Sequence, residues 1–256
     1  MVRHVIIKSC MFNNKNKMMK KVKRLFLTAL LLLGATAVGA QESDWETSVS
    51  ANIVNQYIWR GQDLGNVSLQ PTFGVGYKGL SLTAWGSVGL TEASDTKEFD
   101  LTLGYTFGGF NIGVTDYWFN KGLDPQNRYF RYNAHGTNHV FEGNIGYDFG
   151  LASVQWYTNF AGNDGVNGDG KRAYSSYFEL NVPFRLGGIE WTATAGAVPT
   201  ATTLYGTTGF AVTLAALKAT KDIHVTPSFS LPVFAGIAAN PCSQKAYLLF
   251  GVTLRP

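Results

Sequence analysis

The chain of 256 residues is 45% hydrophobic and 14% aromatic, with 29 glycines, but only 15% charged, well below the roughly 25% of soluble domains. Its formal charge of +4 is misleading: residues 1 to 40 hold 8 of the 21 Lys and Arg and none of the 17 acids, which leaves 13 against 17, a formal −4, for the rest. The net charge therefore gives no reason to expect a nucleic-acid partner, and once residues 1–40 are removed an intrachain disulfide is excluded, because only Cys242 remains. No later stretch has the ~20 continuous apolar residues of a membrane helix, so any crossing of a bilayer is made by strands.

The first 40 residues read as a targeting segment. Lys20, Lys21, Lys23 and Arg24 precede the apolar run Leu25 to Leu33, and Val38-Gly39-Ala40 supplies the small residues of a cleavage site. Residues 1–17 are then expected to be an upstream mis-start, 18–40 a cleaved signal peptide and 41–256 the mature chain. No Cys follows the apolar run, so a lipoprotein anchor is not indicated.

From Trp45 the pattern changes to a period of two. Trp45, Thr47, Val49, Ala51, Ile53, Tyr57 and Trp59 share one parity, opposite Glu46, Ser48, Ser50, Asn52, Gln56 and Arg60. One strand over 45–60 is expected, with Trp45 at one interface of a bilayer and Tyr57 and Trp59 at the other; Asn55, Val54 and Ile58 break the alternation. A second strand, 67–77, has Pro71 in its middle, where a ladder defect is expected. Lys78-Gly79 turns into a third, 80–90. The fourth is the cleanest, with Phe99, Leu101, Leu103, Tyr105 and Phe107 on one face and Asp100, Thr102, Gly104 and Thr106 on the other. Gly108-Gly109 turns into the fifth, 110–119.

The rhythm continues through expected strands at 140–149, 151–160, 174–184, 189–198, 210–218, 223–233 and 247–255. Gly150, Gly187-Gly188 and Lys221-Asp222 are read as tight turns, and 120–138, 162–171 and 236–245 as longer loops. Twelve strands joined alternately by short turns and longer loops, aromatic at their ends, describe a single up-and-down antiparallel transmembrane β-barrel. The expected address is the outer membrane of a Gram-negative cell, with outer-membrane lipid and the barrel-assembly machinery as partners. A soluble sandwich is the alternative; it would need the apolar faces to meet in a dry centre.

The run NQYIWRGQDLGN, the segment Gly74-Val75-Gly76-Tyr77, LSLTAWGSVG and FDLTLGYTF resemble the TorF-type porin family over residues 44 to 120. The resemblance implies an outer-membrane barrel of porin-like character. One departure is the C-terminus: the chain ends Leu254-Arg255-Pro256 where barrels of this kind end in an aromatic residue, and Phe250 is the nearest substitute.

Parity assigns Glu46, Asn52, Gln56, Arg60, Asp100, Glu142, Asp148, Glu179, Arg185, Glu190 and His224 to the lumen. Charge at membrane depth is tolerated where it meets water or a partner, so these residues suit a narrow hydrated path for passive diffusion of small polar solutes. The same residues suit a structural or adhesive barrel plugged by its own ion pairs. In the long third loop, Asp124, Arg128, Tyr129 and Arg131 are expected to fold into or over the mouth and form the constriction. Asn163, Asp164, Asn167 and Asp169 supply hard oxygens, but their spacing fits no calcium loop and reads as turn chemistry, so no metal or cofactor is assigned. A lipid hydrolase is the alternative of another class. Ser228 and Ser230 share parity with His224 but lie roughly 13 and 20 Å from it along one strand, and no motif joins Ser, His and carboxylate, so the chain is read as no enzyme.

Overall fold

A computed structural model describes residues 44–255, apart from 122–123, 125–126, 134–135, 228 and the side chain of Lys121. The expected signal peptide and mis-start lie outside the described residues, as do His135 and Ser228. Fourteen strands are present among the described residues. Twelve of them close an antiparallel barrel: β1 (Trp45–Val54), β4 (Ser68–Tyr77), β5 (Leu80–Gly89), β6 (Thr96–Phe107), β7 (Phe110–Lys121), β8 (His139–Asp148), β9 (Ser153–Gly162), β10 (Ser176–Leu186), β11 (Ile189–Val198), β12 (Ala211–Thr226), β13 (Phe229–Asn240) and β14 (Lys245–Leu254). Each pairs with its sequence neighbour, and β1 closes on β14. The remaining two, β2 (Tyr57–Trp59) and β3 (Gln62–Gly65), form a separate small hairpin.

Side chains point where the alternation puts them. Phe73, Leu103, Ile112, Ile145, Ile237 and Leu248 are all more than half exposed on the outer wall. Their neighbours of the other parity form polar rungs across the inside: Thr102 with Thr115 at 2.9 Å, Thr194 donating to Asn181 at 2.7 Å, and Thr253 donating to Asn52 at 2.8 Å. An apolar wall outside and hydroxyls and amides inside is the arrangement that lipid, not water, selects. Pro71 also acts as its missing N–H dictates. Pairing of β4 with β5 lapses at Gln70 and Pro71 and resumes at Thr72 in the same register.

Most strand ends shift by one to three residues, and three differences go further. The first strand stops at Val54, because Asn55 turns its side chain onto the edge of β14: its Nδ2 donates to the Leu248 carbonyl at 2.8 Å and its Oδ1 accepts from the Phe250 N–H at 2.8 Å. An Asn side chain carries the same donor and acceptor as a peptide group, so it replaces the strand that would otherwise continue there. Tyr57 and Trp59 therefore do not reach a lipid interface. Near the other end of the chain, Lys221 and Asp222 are not a turn; β12 runs on to Thr226 and reverses after Pro227, so β13 begins at Phe229. The expected loop 236–245 shrinks to 241–244.

The buried apolar residues do not fill the barrel. They gather at its loop end, where Tyr177, Val198 and Tyr205 pack together with Trp59, Tyr157 and Leu204. That end is not the wet, open lumen the sequence suggests.

Candidate functional site

The hairpin β2–β3 is folded into the barrel mouth, and its tip touches opposite parts of the wall. Arg60 and Gly61 both have positive φ, 49° and 82°. That left-handed pair makes a turn tight enough to fit, and a Cβ on Gly61 would collide with the Thr213 carbonyl of β12. On one side the Gly61 carbonyl accepts from Asn240 Nδ2 of β13 at 3.0 Å. On the other, the Arg60 guanidinium reaches β8 and grips Glu142 with two parallel hydrogen bonds, 2.6 Å to Oε2 and 2.8 Å to Oε1.

The environment of that pair is a cage. The Arg60 guanidinium carbon lies 4.1 Å from the ring centroid of Tyr157, 4.7 Å from that of Tyr177 and 4.5 Å from that of Trp59. Its Nη1 also donates to the Tyr205 hydroxyl at 2.7 Å, and Tyr117 donates to Glu142 Oε1 at 2.8 Å. Trp59 stacks on Tyr205. Burial pushes the Tyr205 phenol up to about 12 even though Arg60 draws it down, so at neutral pH it is an uncharged acceptor. Burial opposes the Arg60 charge, but Tyr205 and Glu142 together more than offset it, and the side chain is held well above its ordinary value. At the hairpin base Tyr57 donates to Glu98 at 2.8 Å and packs on Trp85; burial first, then Glu98, keep that phenol protonated.

The residues assigned to the lumen separate into groups. Arg60, Asp100 and Glu142 are buried at the loop end, and Asn52 lines the wall. Glu179 also lines it, accepting from Tyr177 and Asn181. Gln56 belongs to the hairpin, where it donates to Asp63 at 2.9 Å. Glu46 is exposed near the turn end of β1, and Asp148 caps its own turn by accepting from the Gly150 N–H. Arg185 pairs with Glu190 at 2.7 Å, and with His224 these two line an open cavity of about 270 Å³ at the turn end.

The described aromatic residues of the third loop lie away from the mouth where the constriction is expected. Its Tyr129 packs on Phe99, Trp118 and His139, and Tyr132 on His139 and Phe141. These partners share the outward parity of Phe110, Ile112 and Ile145, so both tyrosines lie against the outer wall. His139 fastens them, with Nδ1 at 2.6 Å from Asp116 and Nε2 at 2.6 Å from the Tyr129 carbonyl. Asp124, Arg128 and Arg131 are solvent-exposed.

His224 and Ser230 correct the sequence reading in another way. Because the chain reverses after Pro227 they are cross-strand partners, 2.7 Å apart. Among the described residues no carboxylate hydrogen-bonds His224, and the nearby Asp222 faces Arg255. In the loop 163–175, the Asp164 oxygens accept from Asn159 and from the N–H groups of Gly165 and Ser175, and Asn167 accepts from the N–H groups of Asp169 and Lys171. Those oxygens are consumed by turn chemistry.

Sequence parity missed Tyr57, Trp59, Glu98, Tyr117, Tyr157, Tyr177 and Tyr205. The available signal was Arg60-Gly61 itself, a turn dipeptide inside an alternating run.

A family model described as a bacterial protein of unknown function, Gcw_chp, matches residues 39–222. The chain belongs to the Gcw_chp family. This Gcw_chp match, and not the TorF-type resemblance of the opening motifs, names its family. No curated protein matches the Gcw_chp chain. Among solved structures it is similar to the NanC porin, at 8% identity and a TM-score of 0.41, over 81% of this chain and 98% of that one. It is also similar to Salmonella typhi OmpF in complex with daunomycin, at 10% identity and a TM-score of 0.35, over 82% and 96%. A third is the outer membrane protein opdK from Pseudomonas aeruginosa, at 13% and 0.35, over 80% of this chain and 60% of that one.

Proposed function

We propose that this barrel is an outer-membrane, porin-type channel for the passive diffusion of small polar solutes, closed at its loop end by the β2–β3 hairpin. The observation that carries the reading is the division of the wall into an apolar outer face and an inner face of hydroxyls, amides and carboxylates running from the turn-end cavity to the cage. The hairpin is a separate sheet, joined to the wall by side chains and not by a strand ladder, so it is able to move without opening the barrel.

The test is planar-bilayer conductance of the refolded chain 41–256, with and without residues 57–65. Low conductance that rises on deletion is expected. A deletion variant that stays silent while its heat-modifiable gel shift is intact would mean a closed structural barrel.

A further inference from the structure

The cage around Arg60 is built almost wholly by residues that do not move with Arg60. Glu142 is on β8, Tyr117 on β7, Tyr157 on β9, Tyr177 on β10 and Tyr205 in the connection 199–210. Only Trp59 belongs to the hairpin. Subtract the hairpin and the wall still presents a carboxylate oriented by the Tyr117 hydroxyl, two tyrosine faces and a neutral phenol oxygen. Fork-shaped planar cations are recognised by that set: two parallel N–H donors to a carboxylate, and π faces to stack on. Arg60 fulfils both conditions with its side chain nearly sequestered, while its own backbone sits at a φ of 49° that disfavours a non-glycine residue. Its position is therefore enforced by what the side chain meets.

We propose that this cage is a binding site for solutes bearing a guanidinium group, and that Arg60 is a tethered competitor which such a solute displaces. The proposal rests on the channel reading for its consequence, since displacement frees the hairpin, but the site itself does not depend on conduction. Tethering gives Arg60 a high effective concentration, so the free solute binds the native chain weakly and binds tightly only once Arg60 is removed. Glu142, buried and left without its cation, supplies the drive.

The experiment is calorimetric titration of methylguanidinium into the refolded chain in detergent micelles, with urea as the neutral shape control. Arg60→Ala is expected to bind methylguanidinium saturably, about tenfold or more tighter than either the native chain or Arg60→Ala/Glu142→Gln, and not to bind urea. Equal affinity in the single and double variants, or no preference over urea, would overturn it. Should Arg60→Ala fail to refold, refolding yield becomes the readout: recovery with methylguanidinium but not urea supports the cage, and no recovery with either overturns it. Because binding is read without current, a barrel that binds but never conducts keeps the cage and loses the channel, and a barrel that conducts without binding does the reverse.

Discussion

Arg60 and Arg185 each meet a glutamate at short range, 2.6 and 2.7 Å, but their surroundings differ. The Arg60 and Glu142 side chains are 7% and 3% exposed, and those of Arg185 and Glu190 are 73% and 68% exposed. Breaking a buried pair leaves a charge with neither water nor partner and costs about 3–5 kcal/mol, while an exposed pair is worth about 0–1 kcal/mol. Arg60→Ala is therefore expected to lose several kcal/mol in urea unfolding from micelles, with part of the loss recovered in Arg60→Ala/Glu142→Gln. Glu190→Gln should unfold as the native chain does. Tyr205 gives the pH dependence. Its folded value, about 12, lies above the ordinary 10.0, so its contribution is complete below pH 10 and is lost as pH rises toward 12. A fall in the unfolding midpoint between pH 10 and 12 that is blunted in Tyr205→Phe is the expected outcome.

At the scale of elements, the hairpin and the third loop exchange the roles that the pattern alone assigns them. Deleting residues 122–136 is expected to leave single-channel conductance and ion preference unchanged, because Tyr129 and Tyr132 lie outside the wall; a changed conductance would return that loop to the mouth. Alternation could not reveal the hairpin. Tyr57 and Trp59 continue the parity of Ile53, and an aromatic that faces lipid looks the same in sequence as one that stacks in a lumen. What distinguishes them is long-range: Glu98 for Tyr57, and Tyr205 for Trp59. Asn55 was visible as a break, but its meaning as a surrogate strand end depends on Leu248 and Phe250, nearly two hundred residues later. In β12, the charged Lys221-Asp222 resembled a turn because the strand end is exposed on both faces, and Pro227 was the better signal.

For the molecule as a whole, the barrel itself was legible because each wall strand repeats one rule, oily outward and polar inward, and repetition survives local exceptions such as Pro71. The interior was not legible, since which lumen residues meet depends on how the wall curves. The rule makes an asymmetric prediction from adjacent residues. Leu103→Arg, on the outer wall, is expected to cost about 2–4 kcal/mol near the bilayer midplane, read as reduced folding into liposomes. Thr102→Arg faces the lumen and should fold nearly as well as the native chain. Equal penalties would mean that the two faces are not in different solvents.

The join between first and last strands is short, four residue pairs from Ala51–Val54 to Gly251–Leu254, and Asn55 adds its clasp directly above. The root of the hairpin is thus sewn into the final stitch of the cylinder. During biogenesis the stopper's base is therefore fixed only when the last strand has arrived.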